Sequence, residues 1–377
     1  MTADDSLGNV LVLGGVGVIG RHFVQYILDK KLADDVRVVD KMLPQTAFLS
    51  AEHKLMFEKV DFKQSNLINP DAIASCFDRD DGREFDCVFN FAGEPKYSQS
   101  PEVYEKRIYM LSVNCAKEAV KRNVKAFIEM SSCEVYGENE KPSDEMAKIK
   151  PWTAMAKYKY KVEEALRAMP GLNLVVLRSA FVYGPGTYLG LTPRLIMGRI
   201  YKYLNEEMKL LWSGDLKMNT VHIDDVVKAC WYTARWYIKN KKYQVEPKEA
   251  ITFNLVDKQD TDQEFVNGFL RDIYNIQTGY YNTLICTFAK MNLSSITDDI
   301  NEKHLAPWAK LLEKSKIVAS PLSPYLDEEF LQNHSLHADG TKIESIGFTY
   351  SYPYITRENV IRIIDDFKAQ GLWPQDD

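Results

Sequence analysis

The feature that most constrains this chain is a short apolar run ending in closely spaced glycines. Residues 10–13 (Val-Leu-Val-Leu) lead into Gly14-Gly15-Val16-Gly17-Val18-Ile19-Gly20, and a helix-forming stretch opens at Arg21. A sharp turn from strand to helix needs a residue that accepts positive φ, which glycine does without strain. Glycine also lets the backbone approach a pyrophosphate, and the helix start supplies free N–H groups and a positive dipole end. Asp40 ends the next strand candidate, 20 residues past Gly20. An acid there accepts the hydroxyls of an adenosine ribose and repels a 2′-phosphate. The pattern predicts a dinucleotide site that prefers NAD to NADP, a preference softened by Lys41.

Further apolar runs at residues 36–40, 55–61, 85–91, 126–130 and 174–177 read as strands. Amphipathic stretches between them, such as 21–30 and 102–121, read as helices. Strands alternating with helices predict βαβ units and a parallel sheet, with ligands at the carboxyl ends of the strands. From Tyr183 the pattern changes: helical segments are expected at 193–204, 224–239 and 262–274, a strand at 251–256 between the last two, and a final helix at 356–370. The expected class is α/β, a Rossmann-type doubly wound parallel sheet over residues 1–180. A smaller mixed α/β substrate-type domain over 181–377 is interleaved with it. Residues 276–335 carry no repeat or bias that places them.

Composition narrows the function classes. A net charge of −6 argues against a broad nucleic-acid surface, which needs excess Lys and Arg. Cysteines 76, 87, 115, 133, 230 and 286 show no CxxC spacing and read as buried reduced thiols, so no metal site is expected. The acidic start Met1-Thr2-Ala3-Asp4-Asp5 is unlike a signal peptide, and no apolar run approaches the ~20 residues of a membrane span. A cytoplasmic protein is the expectation.

Taken together, the motifs resemble the extended short-chain dehydrogenase/reductase family of NAD-dependent epimerase/dehydratase type. The glycine loop is similar to its first motif. Asp61 to Leu67 resembles its adenine-contacting stretch, with Asn66 in place of the usual Asp. Phe91-Ala92-Gly93 resembles the segment that lies against the cofactor, and Asn114 fits its helix-4 asparagine. Ser131-Ser132-Cys133-Glu134-Val135-Tyr136-Gly137, residues 177–186 and Val221-His222-Ile223-Asp224-Asp225-Val226 are similar to later segments. The resemblance implies cofactor contacts from Gly14, Gly17, Val18, Ile19, Gly20, Asp40, Asn66, Leu67, Phe91, Ala92, Gly93 and Lys159. It also implies a homodimer through the helices at about 102–121 and 153–169.

In that family a Tyr-x-x-x-Lys pair and a Ser or Thr carry the chemistry: the tyrosine passes a proton while hydride moves to or from nicotinamide, and the lysine lowers the tyrosine's pKa. Here Ser132 matches the hydroxyl and Lys159 the lysine, but Met155 falls at the tyrosine position. A thioether has no exchangeable proton. Glu134 and Tyr158 are the candidate substitutes. Phe181 and Met218 stand where relatives that bind nucleotide sugars carry an Asn and an Arg for the diphosphate. His222 reads as structural, and Asp224 and Asp225 as N-cap and first-turn acids. The favoured expectation is an NAD(H)-binding protein that has lost tyrosine-dependent catalysis and serves a structural or regulatory role, as a subunit of an assembly. The alternatives are an active oxidoreductase, epimerase or dehydratase with a substitute proton carrier, and a scaffold with an empty site.

Overall fold

The computed structural model describes residues 6–375. Seven strands form its central sheet: β1 (Asn9–Leu13), β2 (Asp35–Asp40), β3 (Asp61–Gln64), β4 (Cys87–Asn90), β5 (Ala126–Ser132), β6 (Leu174–Ser179) and β10 (Ile251–Leu255). Their order is β10-β6-β5-β4-β1-β2-β3, and every pairing is parallel. The chain runs from β1 out to β3, then returns to β4 on the other side of β1. That reversal opens a crevice beyond the carboxyl ends of β1 and β4, the place where open α/β sheets take ligands.

Both faces are covered, which is why the inner strands read as unbroken apolar runs: β1 and β4 are buried at every residue. On one face, Val10, Val12, Phe89 and Ile128 pack with α1 (Val18–Asp29) and α8 (Ile223–Lys239). On the other, Leu11, Val88 and Phe127 pack with α3 (Pro70–Phe77), α5 (Leu111–Lys121) and α6 (Ala154–Arg167). A second core gathers α7 (Thr192–Leu204), α9 (Gln263–Tyr274) and α12 (Arg357–Ala369) around Ile200, Leu270 and Phe367. Two short parallel pairs lie outside the main sheet, β7 (Phe181–Tyr183) with β9 (Thr220–His222) and β8 (Met208–Leu210) with β11 (Thr278–Tyr280).

Two expectations change, at residues 55–61 and 102–121. Residues 55–61 are not one strand: α2 (Ala51–Phe57) is capped by Ser50, whose hydroxyl accepts the His53 N–H at 3.2 Å, and it buries Met56 and Phe57 before β3 begins. The strand expected at 251–256 is present as β10, and it pairs with β6 as the seventh strand of the main sheet. The helix over 102–121 is interrupted. Its first turn, α4 (Pro101–Tyr104), passes through a π-helical stretch, Glu105–Met110, before α5. Residues 276–335 gain structure as β11, α10 (Thr283–Met291), α11 (Leu293–Lys314) and a 3₁₀ turn, Glu328–Leu331. Cys76, Cys87, Cys115, Cys133 and Cys230 are buried, Cys286 is half-buried, and all are free thiols. Among the described residues no helix is long and apolar enough to cross a membrane.

Candidate functional site: a dinucleotide cradle beside a covered cleft

The loop between β1 and α1 uses its glycines for different reasons. Gly14 has φ of 76°, and a Cβ on it would lie 2.5 Å from the Ala92 nitrogen. A Cβ on Gly20 would lie 2.3 Å from the Gly14 oxygen, so this glycine lets α1 pack on the loop. Gly17 is exposed, its φ of −59° suits any residue, and its Cβ would meet only the Gly14 oxygen, at 3.2 Å. What a side chain at Gly17 would chiefly fill is the space over the start of α1, where no side chain caps the helix. The N–H groups of Val18, Ile19 and Gly20 at this helix start are placed where they could hold an anion.

Asp40 ends β2 beside this loop. Its Oδ2 accepts the Val16 N–H and its Oδ1 the Met42 N–H, each at 3.0 Å. Each oxygen keeps a second lone pair for a ribose hydroxyl, and Lys41 is exposed. Asn66 is exposed and accepts the Ile68 N–H at 3.3 Å, whereas Leu67 is buried in the core, so only its backbone can face a ligand. Phe91 packs on Phe23, with ring centroids 5.4 Å apart. Gly93 approaches the lysine: a Cβ there would lie 3.9 Å from Lys159 Nζ. The donors and the open space fit a dinucleotide.

Lys159 donates to the Met130 carbonyl at 2.6 Å. Burial lowers its pKa, opposed by the carboxylates of Glu129 and Glu163. Both acids are themselves anchored. Glu163 is 0% exposed, takes Arg178 through two N–H groups at 3.0 and 2.6 Å, and accepts the Ser131 hydroxyl at 2.6 Å. It thereby locks α6, and Lys159 one turn earlier, onto β5 and β6. Glu129 accepts from Asn90 at 2.7 Å and Ser112 at 3.1 Å, and burial raises its pKa to about 7 against the pull of Lys159. The Glu129–Asn90–Ser112 cluster was missed in the sequence, although a glutamate inside the run Ala-Phe-Ile-Glu-Met was a signal. Asn114 is half-buried on the same helix as Ser112.

Around Ser132 the structure brings only part of the expected set together. Ser132 is half-buried, and its oxygen accepts the Glu134 N–H at 3.1 Å. Met155, in the second position of α6, is half-buried against the α5–α6 core. Tyr158 points elsewhere: its ring lies 5.7 Å from that of Tyr104 and 5.6 Å from Lys161 Nζ. Glu134 is 3% exposed with both oxygens engaged, by the Tyr97 hydroxyl at 2.5 Å and the Thr153 hydroxyl at 2.8 Å. Burial raises its pKa. Burial, then the Glu134 charge, push the Tyr97 phenol well above its ordinary value.

Over these groups lies the strap at 327–334, which the sequence did not place. Glu329 accepts the Ala154 N–H at 2.7 Å and the Ser98 N–H at 3.1 Å. Phe330 sits between Tyr97 and Phe181, with ring centroids 6.2 and 5.6 Å away, and His334 stacks on Trp152 at 4.6 Å. Met218 is buried and bridges to Leu336. His222 caps α8 by accepting the Asp224 N–H at 3.2 Å, and its ring stacks on Tyr352 at 3.8 Å. Burial lowers its pKa to about 4. The N-cap is therefore His222 rather than Asp224, and Asp225 accepts the N–H groups of Ser351 and Tyr352 at 2.6 and 2.7 Å.

Fold and loop together define a dinucleotide-binding protein of Rossmann type. The profile of the NAD dependent epimerase/dehydratase family matches residues 10–246, and the chain belongs to that family. An uncharacterized protein of Schizosaccharomyces pombe is 25% identical over 61% of this chain and 71% of its own length. The UDP-glucose 4-epimerase of the same yeast is 33% identical over 36% of this chain and 38% of its own. Among solved structures, the UDP-glucuronic acid 4-epimerase of Bacillus cereus, in complex with UDP-glucuronic acid and NAD, superposes with a TM-score of 0.66 at 16% identity, over 96% of this chain and 99% of that one. The Thermus thermophilus UDP-glucose 4-epimerase in complex with NAD gives 0.65 at 17% identity, with the same coverage.

Proposed function

We propose that this chain holds NAD(H) in the cradle formed by Gly17, the start of α1 and Asp40, and does so without tyrosine-dependent turnover. It then acts as a structural or regulatory subunit of a cytoplasmic assembly. The observation that carries this reading is that, among the described residues, a methionine, Met155, takes the place of the family's tyrosine one turn before Lys159. Glu134 is buried and accepts from the Tyr97 and Thr153 hydroxyls, and burial with the Glu134 charge keeps the Tyr97 phenol protonated rather than available as a phenolate base. When bound, the nicotinamide supplies hydride transfer at a hydroxyl-bearing carbon. That step needs a group able to take the hydroxyl proton at hydrogen-bond reach. The residues around Lys159 instead bind, orient and exclude water. The strap adds support, since Phe330 and Glu329 lie against Phe181 and the start of α6. Five buried thiols suit a reducing compartment.

The alternative is an NAD-dependent epimerase, dehydratase or oxidoreductase using Glu134 or another carrier; the retention of Ser132 and Lys159 favours it. The test is to challenge the nucleotide-loaded protein with UDP-glucose and UDP-glucuronic acid, following nicotinamide absorbance and sugar products. Our reading expects neither to change. Turnover that disappears in Lys159→Met would replace it with the alternative.

A further inference from the structure

A cavity of about 700 Å³, with none of the dinucleotide-cradle residues in its lining, lies between α7, β8, α10 and α11. Its volume is that of an ordinary small-molecule site, about 300–1,000 Å³. Leu210, Leu211, Ile300, Leu326 and Phe330 make its wall apolar. Its mouth is formed by α10, on which Leu284, Phe288 and Met291 are 79%, 49% and 72% exposed. These three share one helix face. Only Ala289 of α10 is buried, so this helix covers the cavity with few attachments of its own. Leaving so much apolar surface open costs roughly 25 cal/mol per Å² relative to covering it.

Two buried or half-buried ionisable groups, Arg194 and His304, stand out among the polar residues of the lining. Arg194 is half-buried, lines the cavity and donates to the side-chain oxygen of Gln263, a neutral acceptor. Gln263 is in turn fixed, donating to the carbonyls of Leu211 and Ser213 at 3.0 Å each. The nearby Glu264 is already engaged by Arg271 and the Tyr280 hydroxyl, each at 2.7 Å. Burial lowers the Arg194 pKa to about 10, with Tyr280 opposing. His304 is 1% exposed and lines the same cavity, and its Nδ1 has no hydrogen-bond partner. The other charged groups on the lining are Lys209, Lys303 and the exposed Asp299; Lys209 pairs with Glu207 and Lys303 with Glu206. A guanidinium without a carboxylate, in an apolar chamber, calls for an anionic acceptor.

We propose that this cavity binds an apolar molecule ending in a single anionic group, a long-chain carboxylate in the simplest case, with the head on Arg194 and the body along Leu210, Ile300 and Phe330. A small molecule fits better than a docked protein or membrane because Arg194, His304 and the inner leucines lie at depth, beyond the reach of a flat partner. Phe330 belongs to both this wall and the strap over the cleft, so an occupant touches the strap directly.

The test uses the full chain with whatever nucleotide it carries, and reads binding rather than activity, so it is independent of the proposed NAD function. A dansyl-labelled fatty acid is titrated and displaced with oleate or oleyl alcohol. The expected result is saturable binding at one site. Arg194→Met should weaken oleate about tenfold or more, as loss of a charged hydrogen bond of ~1.5–3 kcal/mol implies, and leave oleyl alcohol unchanged. Ile300→Trp, which fills the cavity, should abolish both, with an unchanged melting temperature confirming the fold. Absence of saturable binding to the parent chain overturns the proposal. So does binding that survives Ile300→Trp but is lost in the double variant Leu284→Asp, Phe288→Asp, which would make α10 a surface docking patch.

Discussion

The glycine loop and the strap at 327–334 border the same crevice and were built by opposite rules. The loop is local: strand, turn and helix are contiguous, and an exposed Gly17 keeps the space over the helix start open. The strap is assembled at long range, Glu329 reaching back to Ala154 and Ser98, and Phe330 to Tyr97 and Phe181. One keeps room for a ligand and the other takes room away.

The largest effect is expected beneath the cradle. Glu163→Leu leaves the buried Arg178 guanidinium without its carboxylate, and denaturant unfolding should show a loss of about 3–5 kcal/mol. A loss under 1 kcal/mol would mean that α6 is held by apolar packing alone. Next, Gly17→Val should cancel the stabilisation that NAD confers, about 2.7 kcal/mol at a hundredfold excess over Kd, while barely changing the melting temperature without NAD. An equal loss with and without NAD would make Gly17 a structural glycine and dissolve the contrast with Gly14 and Gly20.

A third effect is a pH slope rather than a step. Burial raises the Glu129 pKa from 4.5 to about 7, so the folded state binds its proton more tightly than the unfolded state does. Its contribution is full below pH ~4.5 and is lost as pH rises through about 7. Glu129→Gln should flatten unfolding free energy over that window, leaving the same-signed slope from Asp257, which burial also raises to about 7. An unchanged slope would place the proton elsewhere. The smallest effect belongs to the strap: Glu329→Ala removes the acceptor at the start of α6 and should cost about 1 kcal/mol while speeding proteolysis within 327–334. If cleavage there is no faster, the strap is held by Phe330 rather than by its carboxylate.

The same division explains what the sequence could disclose. Gly14, Gly17, Gly20 and Asp40 announce themselves because their chemistry depends on short fixed spacings, and β1, β4, β5 and β6 because strands buried on both faces read as mostly apolar runs. β3 was hidden by Leu55-Met56-Phe57, apolar residues that a helix capped by Ser50 buries just as well. β10 was legible as a strand but not as the partner of β6, because pairing between distant segments leaves no local mark. Tyr97, Glu329 and Phe330 were illegible for the same reason: each acquires meaning only from a residue brought near by the fold.

The most direct test of the central claim is to denature protein purified from its native source and identify the released nucleotide by mass spectrometry. The account predicts NAD⁺ or NADH in near-stoichiometric amount. No released nucleotide, together with no rise in melting temperature when NAD is added, would contradict it and leave the glycine loop a strand–helix turn without a ligand.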